Sequence, residues 1–448
     1  MRERPHRPAS RTVPIRAAAI TALLLASLPP HALAQATDGA VVTFSADVAP
    51  ILRQNCEVCH RPGAIGPMSL TDYEEVRPWA PMIRDQVSRR EMPPYHYDTD
   101  LGIQRLKEDR RLSTDEIDTI VSWVDAGAPR GDPSELPPPV EWPSPDEWRL
   151  ASRFGQPDLV VPSTPYDLPA AGQDIYHRPI VPTGLTADRC IRAIETKPSV
   201  PGRAFTHHAN SSLVIETSGG NLRPVGFLSE YALGKLGEIV PEDACRTLPA
   251  NSFVSWDIHY YPSGTAVPGD RVEVGVWFHD DSEARRDSAY RQNLTLYFLE
   301  GGDYDIPPHG RLTTQGFHSF DHPVRIDSWQ PHGHLRMTGM ALEIFYPQTG
   351  EREMISMVSN WHPGWHLSHI YEDDAAPLVP AGAVLILTAW YDNTADNPHN
   401  PDPDQWVGIG QRTADEMSHA WMAVTHLDEE AYERLAAERE ARQREAAQ

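Results

Sequence analysis

Residues 56–60 of the chain read Cys56-Glu57-Val58-Cys59-His60. This is the C-x-x-C-H signature of covalent c-type haem attachment, in which both thiols form thioethers and the histidine ligates the iron. Helical patterns lie on either side of the motif. The stretch therefore predicts one c-type haem in a small all-α, cytochrome c-like domain over residues 35–135.

A low-spin haem needs a second axial ligand, and three methionines follow the motif. Met92 is favoured because it precedes proline, which holds it on extended backbone. Met68 lies only eight residues after His60, and Met82 falls in a predicted helix, where we interpret it as a core residue. His96 and an open coordination site remain the alternatives.

The first 34 residues resemble an export signal, with a basic start, an apolar run over residues 17–28 and a small-x-small cleavage site. The run is too short to cross a bilayer, which takes about 20 apolar residues. We therefore expect a periplasmic or secreted protein without a membrane span. The formal net charge of -24 argues against binding to nucleic acid.

Two of the four cysteines lie outside the haem motif, at Cys190 and Cys245. In an oxidising compartment such a pair is typical of a disulfide, and two buried thiols are the alternative.

Beyond a proline-rich linker over residues 136–156, the pattern changes to short β-rich runs such as Leu294–Leu299 and Ala383–Trp390. These predict antiparallel jelly rolls or sandwiches. The fold expected is thus multidomain, with the small all-α domain followed by two all-β subdomains. The predicted bounds are 157–302 and 303–427 for the subdomains, divided near Gly301-Gly302, and 428–448 for a charged helical tail.

Sixteen of the twenty histidines follow residue 155, which directs attention to metal binding there. His332-Gly333-His334 places two imidazoles on one face of a strand. Adjacent His207-His208 would point to opposite faces unless a bulge or loop intervenes. His259 alone would be read as structural, and we interpret several others that way, namely His177, His279, His399 and His426.

Asp415-Glu416-Met417 adds a sulfur donor late in the chain. A thioether among imidazoles is a soft ligand that suits Cu(I), whereas zinc prefers thiolate, carboxylate or water.

Taken in order, His207-His208, His259-Tyr260, His332-Gly333-His334 and Asp415-Glu416-Met417 resemble the copper type II, ascorbate-dependent monooxygenase family. Its best-known members are peptidylglycine α-hydroxylating monooxygenase and dopamine β-monooxygenase. With the haem motif included, the chain is similar to bacterial members fused to an N-terminal cytochrome c domain.

The resemblance implies two copper ions in two jelly-roll subdomains, separated by a solvent-filled cleft. His207, His208 and His259 would hold an electron-storing copper. His332, His334 and Met417 would hold the copper that binds O₂ and faces the substrate.

Three positions depart from the peptide-amidating members, where an Arg, an Asn and a Tyr bind the substrate carboxylate. Gln330, His419 and Trp421 stand there in this chain. A glycine-extended peptide is therefore not the expected substrate. We interpret the nearby His366 and His369 as structural or as orienting the ligands rather than as ligands.

The sequence thus predicts a monooxygenase that hydroxylates a small organic substrate with O₂. Electrons would come through the haem, from ascorbate or from a periplasmic donor. The alternatives are a non-catalytic electron-transfer or copper-binding protein and a zinc hydrolase that uses the same histidines.

Overall fold

A computed structural model describes residues 41–448, apart from 145, 233, 234, 236, 263, 281–287, 296–304 and 447–448. The predicted export signal over residues 1–34 lies outside the described residues. So do the predicted division at Gly301-Gly302 and the second part of the predicted strand Leu294–Leu299. Val42–Gln448 form one compact unit.

Six α-helices occur in the described residues, and most are short: α1 Ala49–Asn55, α2 Tyr73–Val76, α3 Ala80–Ser88, α4 Thr114–Asp125, α5 Ala151–Phe154 and α6 Glu429–Ala446. The strands are β1 Leu106–Lys107, β2 Leu159–Pro162, β3 Tyr166–Leu168, β4 Ile175–His177, β5 Ile180–Pro182, β6 Arg189–Pro198, β7 Thr206–Glu216, β8 Leu222–Ala232, β9 Glu238–Ile239, β10 Arg246–Leu248, β11 Phe253–Tyr260, β12 Val267–Asp270, β13 Val272–Phe278, β14 Ala289–Thr295, β15 Arg311–Ser319, β16 Val324–His332, β17 Met337–Tyr346, β18 Glu351–Val358, β19 His369–Tyr371, β20 Leu378–Val379, β21 Val384–Asp392 and β22 His419–His426.

The first sandwich packs two antiparallel sheets face to face. One has the order β10-β6-β13-β2, with β9 beside β6, and the other the order β4-β11-β7-β8, with β5 beside β11. Alternate residues of both sheets point inward, as a half-buried sheet requires. Ile194, Val274 and Trp256 are among the side chains of this core.

The second sandwich pairs the sheet β1-β19-β16-β22-β14, with β20 beside β16, with the sheet β15-β21-β17-β18. Trp329, Leu387 and Met422 lie in its core. The predicted strand at Ala383–Trp390 corresponds to β21. The predicted antiparallel sandwich architecture is thus confirmed for the β part of the chain, and β14 joins this second sandwich from before residue 302.

The predicted all-α cytochrome c-like domain over residues 35–135 is wrong. The chain is mainly β, and its front helices are short and belong to the same compact unit as the sheets. After α3 the chain runs extended and enters the second sandwich. There β1 pairs with β19, and Tyr97 and Leu106 are buried in the second core.

The physical reason lies in the sequence after Met92. Two consecutive prolines cannot donate backbone hydrogen bonds to a helix, and the aromatic residues that follow need a core. Tyr97 donates its hydroxyl hydrogen to the carbonyl of Ile103 at 2.8 Å, and the backbone amide of Ile103 donates to Ile355 at 2.8 Å. The segment thereby becomes part of a sheet rather than the end of a helical domain.

The predicted disulfide is confirmed, since Cys190 and Cys245 are bonded with their Cα atoms 5.4 Å apart. Among the described residues, every helix is too short or too polar to cross a bilayer.

Candidate metal centre

The first cluster consists of His207, His208 and His259. One ligand nitrogen from each lies within 4.8 Å of the other two. His207 and His208 are the second and third residues of β7, and His259 is near the end of the neighbouring β11. Three imidazole nitrogens this close together are a donor set for a transition-metal ion.

A β-bulge makes this convergence possible. In the ladder between β7 and β11, His259 pairs with His208, but the next residue, Tyr260, pairs with Thr206. His207 is therefore the extra residue of the bulge, and the usual alternation of faces is broken there. The bulge or loop that the adjacent histidines required is thus present.

Asp174 orients the third histidine. Its Oδ2 atom lies 3.0 Å from His259 Nε2, which leaves Nδ1 available to an ion. Tyr176 stacks on the same imidazole, with ring centroids 4.4 Å apart and planes 12° apart. A carboxylate behind a metal-ligating histidine fixes its tautomer and raises its basicity.

The second cluster consists of His332, His334 and Met417. His332 ends β16 and pairs with His419 at the start of β22. Met417 lies two residues before His419 in the chain. The rings of His332 and His334 have centroids 5.5 Å apart.

The Asp415-Glu416 dipeptide, directly before Met417, accepts hydrogen bonds from the segment that carries His334. His334 Nδ1 lies 3.1 Å from the Asp415 carbonyl oxygen, which leaves Nε2 available to an ion. The buried Glu416 carboxylate accepts the backbone N–H of His334 at 2.9 Å and that of Arg336 at 2.7 Å. The Asp-Glu-Met motif was recognised in the sequence, but this role of Glu416 was not. The backbone N–H groups that it binds lie about eighty residues away along the chain.

The imidazoles are electrostatically prepared for metal binding. Burial, reinforced by neighbouring imidazoles, lowers the pKa of His208 to about 3. Burial beside His419 and His366 likewise holds the pKa of His332 well below its usual value. These rings are therefore neutral near pH 7, with a lone pair free to bind a cation.

His366 lies between the two clusters. Its ring centroid is 6.2 Å from that of His207 and 4.8 Å from that of His332. The resemblance implied a solvent-filled cleft between the two sites, but these rings form a continuous series. His369, by contrast, is buried against Tyr95, Tyr97 and Trp329, which fits the structural role expected of it.

The cysteine motif borders a cavity of about 530 Å³. Cys56, Cys59 and His60 line one side, and residues of both sandwiches line the other. The two cysteines are free thiols. Burial raises the pKa of Cys56 to about 12, so it is a neutral thiol and a poor ligand for a bare metal ion.

His60 is oriented as an axial ligand would be. Its Nδ1 lies 3.1 Å from the carbonyl oxygen of Met68, which leaves Nε2 free. Met68, Met82 and Met92 all line the cavity. Met82 is 49% exposed, so its interpretation as a core residue is wrong. The cavity volume, the thiols and the free Nε2 together fit a covalently attached haem.

Gln330 and Trp421, two of the residues that depart from the peptide-amidating pattern, are in contact with other side chains of the protein. Gln330 is 1% exposed. Its side chain donates to Glu230 at 3.0 Å and accepts from Ser368 at 2.8 Å. Trp421 packs on Phe227, with ring centroids 4.4 Å apart. Gln330 thus belongs to a buried polar network and supplies no cation for a substrate carboxylate.

No family model matches the chain, and no curated protein matches it. Solved structures that align with it include the tandem CBM22-1–CBM22-2 domain of Paenibacillus barcinonensis Xyn10C, at 8% identity over 61% of this chain and 98% of that chain, with a TM-score of 0.18. A putative α-L-fucosidase from Bacteroides ovatus aligns at 10% identity over 64% and 41%, with a TM-score of 0.17. The VP2 subviral particle of infectious bursal disease virus aligns at 12% identity over 61% and 72%, with a TM-score of 0.18.

Proposed function

We propose that the chain is an exported, copper-dependent monooxygenase of the ascorbate-dependent type, which hydroxylates a C–H bond of a small organic substrate. The observation that carries this proposal is the meeting of two histidine clusters of different chemistry. The first cluster offers three imidazoles. The second offers two imidazoles, and His334 is hydrogen-bonded to Asp415 and Glu416, the residues directly before Met417, whose thioether would be the further donor.

The reaction consumes a C–H bond, O₂, two electrons and two protons, and it yields an alcohol and water. Bound copper would supply one electron per ion and reactivity toward O₂. The chain's own residues set the character of each ion. An all-imidazole set suits both oxidation states, whereas Met417 favours Cu(I).

The cavity beside the cysteine motif supports a source of single electrons within the same chain. Cys56 and Cys59 would hold a c-type haem by thioether bonds, and His60 would be its axial ligand. Met92 is our choice for the opposite ligand, because Met68 already has its backbone beside His60. Ascorbate or a periplasmic electron donor would then restore the electrons.

The substrate class follows from what surrounds the second cluster. Gln330 stands where a carboxylate-binding cation would be needed, and its polar atoms are bound to Glu230, Ser368 and Lys235. The Lys235 ammonium is buried and already paired with Glu230 and Glu238. A site of this composition favours a neutral organic molecule over a peptide carboxylate.

The proposal is tested by reconstituting the protein with copper and haem and incubating it with a reductant, O₂ and cell-envelope extract. We expect two copper ions and one haem per chain, and products that have gained one oxygen atom. Met417→Ile should abolish product formation. The matched control is Met354→Ile, which alters a half-buried methionine on β18.

Three results would contradict the proposal and point elsewhere. Full O₂ consumption by Met417→Ile would exclude the thioether from the reaction. Reversible copper reduction without any oxygenated product would favour an electron-transfer protein. Zinc as the tightly bound metal would favour a hydrolase.

A further inference from the structure

The segment from Trp361 to His369 contacts both the haem-motif cavity and the second cluster. Trp365 and Leu367 line the cavity together with His60. His366, between them in sequence, contacts His332 instead.

The contact between His332 and His366 has the geometry of two neighbouring metal ligands. Their Nδ1 atoms are 3.1 Å apart, and their ring planes are inclined at 56°. With metal–imidazole bonds of about 2.0–2.1 Å, as in zinc sites, two adjacent ligand nitrogens lie roughly 2.9–3.3 Å apart. The two nitrogens are therefore as close to each other as two ligands of one ion would be.

His419, the other imidazole beside His332, does not converge in this way. Its ring lies 4.5 Å from that of His332 with the planes only 29° apart, so the two rings are stacked. A ring nitrogen binds in the plane of its ring, and nearly parallel stacked rings therefore direct their lone pairs side by side. His419 supports His332 by packing.

We propose that His366 is a further ligand of the metal ion held by His332, His334 and Met417, so that this ion has three imidazoles and one thioether. This inference rests on the proposed function. It also places the second cluster next to the first, because His366 lies 6.2 Å from His207 between ring centroids.

The test is copper titration of the metal-free, haem-containing protein. His366→Gln should weaken binding of the second copper equivalent at least tenfold and leave the first unchanged. His362→Gln is the matched control, since this histidine lies in the same segment but packs on His96 and His399. Circular dichroism and the melting temperature show whether each variant is folded.

X-ray absorption keeps the inference testable if His366→Gln does not fold. In a His259→Ala background only the second copper remains, and its spectrum should fit three imidazoles and one sulfur. Two imidazoles there, or an unchanged second affinity in His366→Gln, would reduce the contact to a hydrogen bond and overturn the inference. Absence of copper binding in the unaltered protein would instead overturn the proposed function.

Discussion

The first cluster and the second cluster are assembled by different parts of the fold. His207, His208 and His259 lie on two adjacent strands whose ladder sets their positions. His332 and His334 stand where a strand ends, and Met417 stands just before another strand begins. Beyond the ladder pair of His332 with His419, hydrogen bonds accepted by Asp415 and Glu416 hold the second group together.

This difference indicates which substitutions each cluster should tolerate. A ladder fixes backbone positions through many bonds, so the first cluster should stay formed when a surrounding side chain is altered. A loop pinned by one buried carboxylate has few substitutes for that bond. The second cluster also has a further imidazole within reach, that of His366, 3.1 Å from His332 between Nδ1 atoms.

The largest effect is expected from His208→Ala. Removing one of three converging imidazoles should reduce copper from two ions to one per chain. The loss of affinity should exceed the roughly 10- to 100-fold typical of losing an outer partner. Elemental analysis after dialysis measures this, with His309→Gln as the control because that histidine is exposed and bonded to Asp404.

The comparison would fail if His208→Ala still held two ions with unchanged affinity. The three nitrogens within 4.8 Å would then be a packing arrangement rather than a binding site.

The first cluster was predicted through the family resemblance, because His259 alone would have been interpreted as structural. Adjacent histidines on a strand can converge only through a bulge, and strand pairing then supplies a third imidazole from the neighbouring strand. The same local logic explains why the disulfide and the β-sandwiches were predicted correctly. These features depend on the two-residue alternation of strands and on the chemistry of a few residue types.

The front of the chain was mispredicted for a related reason. A haem motif near helical patterns suggested an independent all-α domain. Whether Tyr97 and Leu106 would enter the second core depended on an open sheet edge that the sequence does not display. His366 was likewise read as an orienting or structural residue, because its closeness to His332 arises only from tertiary folding.

The second effect, intermediate in size, is expected from Glu416→Gln. The glutamine side chain keeps one oxygen as an acceptor. Its NH₂ group, however, would face one of the two backbone N–H groups that now donate to the Glu416 carboxylate. One buried N–H would lose its partner, which costs about 1–3 kcal/mol. Urea unfolding should show this loss, and copper titration should show weaker binding at the second cluster only.

Asp415→Asn serves as the control for that change. Its carboxylate pairs with the exposed Arg412 at 2.6 Å, and such surface pairs contribute about 0–1 kcal/mol. If both substitutions destabilised the protein equally, the buried carboxylate would have no special part in holding the second cluster.

The smallest effect is expected from Asp174→Asn, which tests whether the first cluster depends on its outer partner at all. Asparagine retains a hydrogen bond to His259 Nε2 but removes the negative charge behind the ring. Because the Asp174 side chain is 40% exposed, solvent screens part of that charge, and copper affinity should fall only about tenfold, the lower end for such partners. Asp257→Asn is the matched control, since that carboxylate pairs with Arg178 on the same sheet. A loss of affinity as large as that of His208→Ala would mean that the ladder alone does not hold His259 in place.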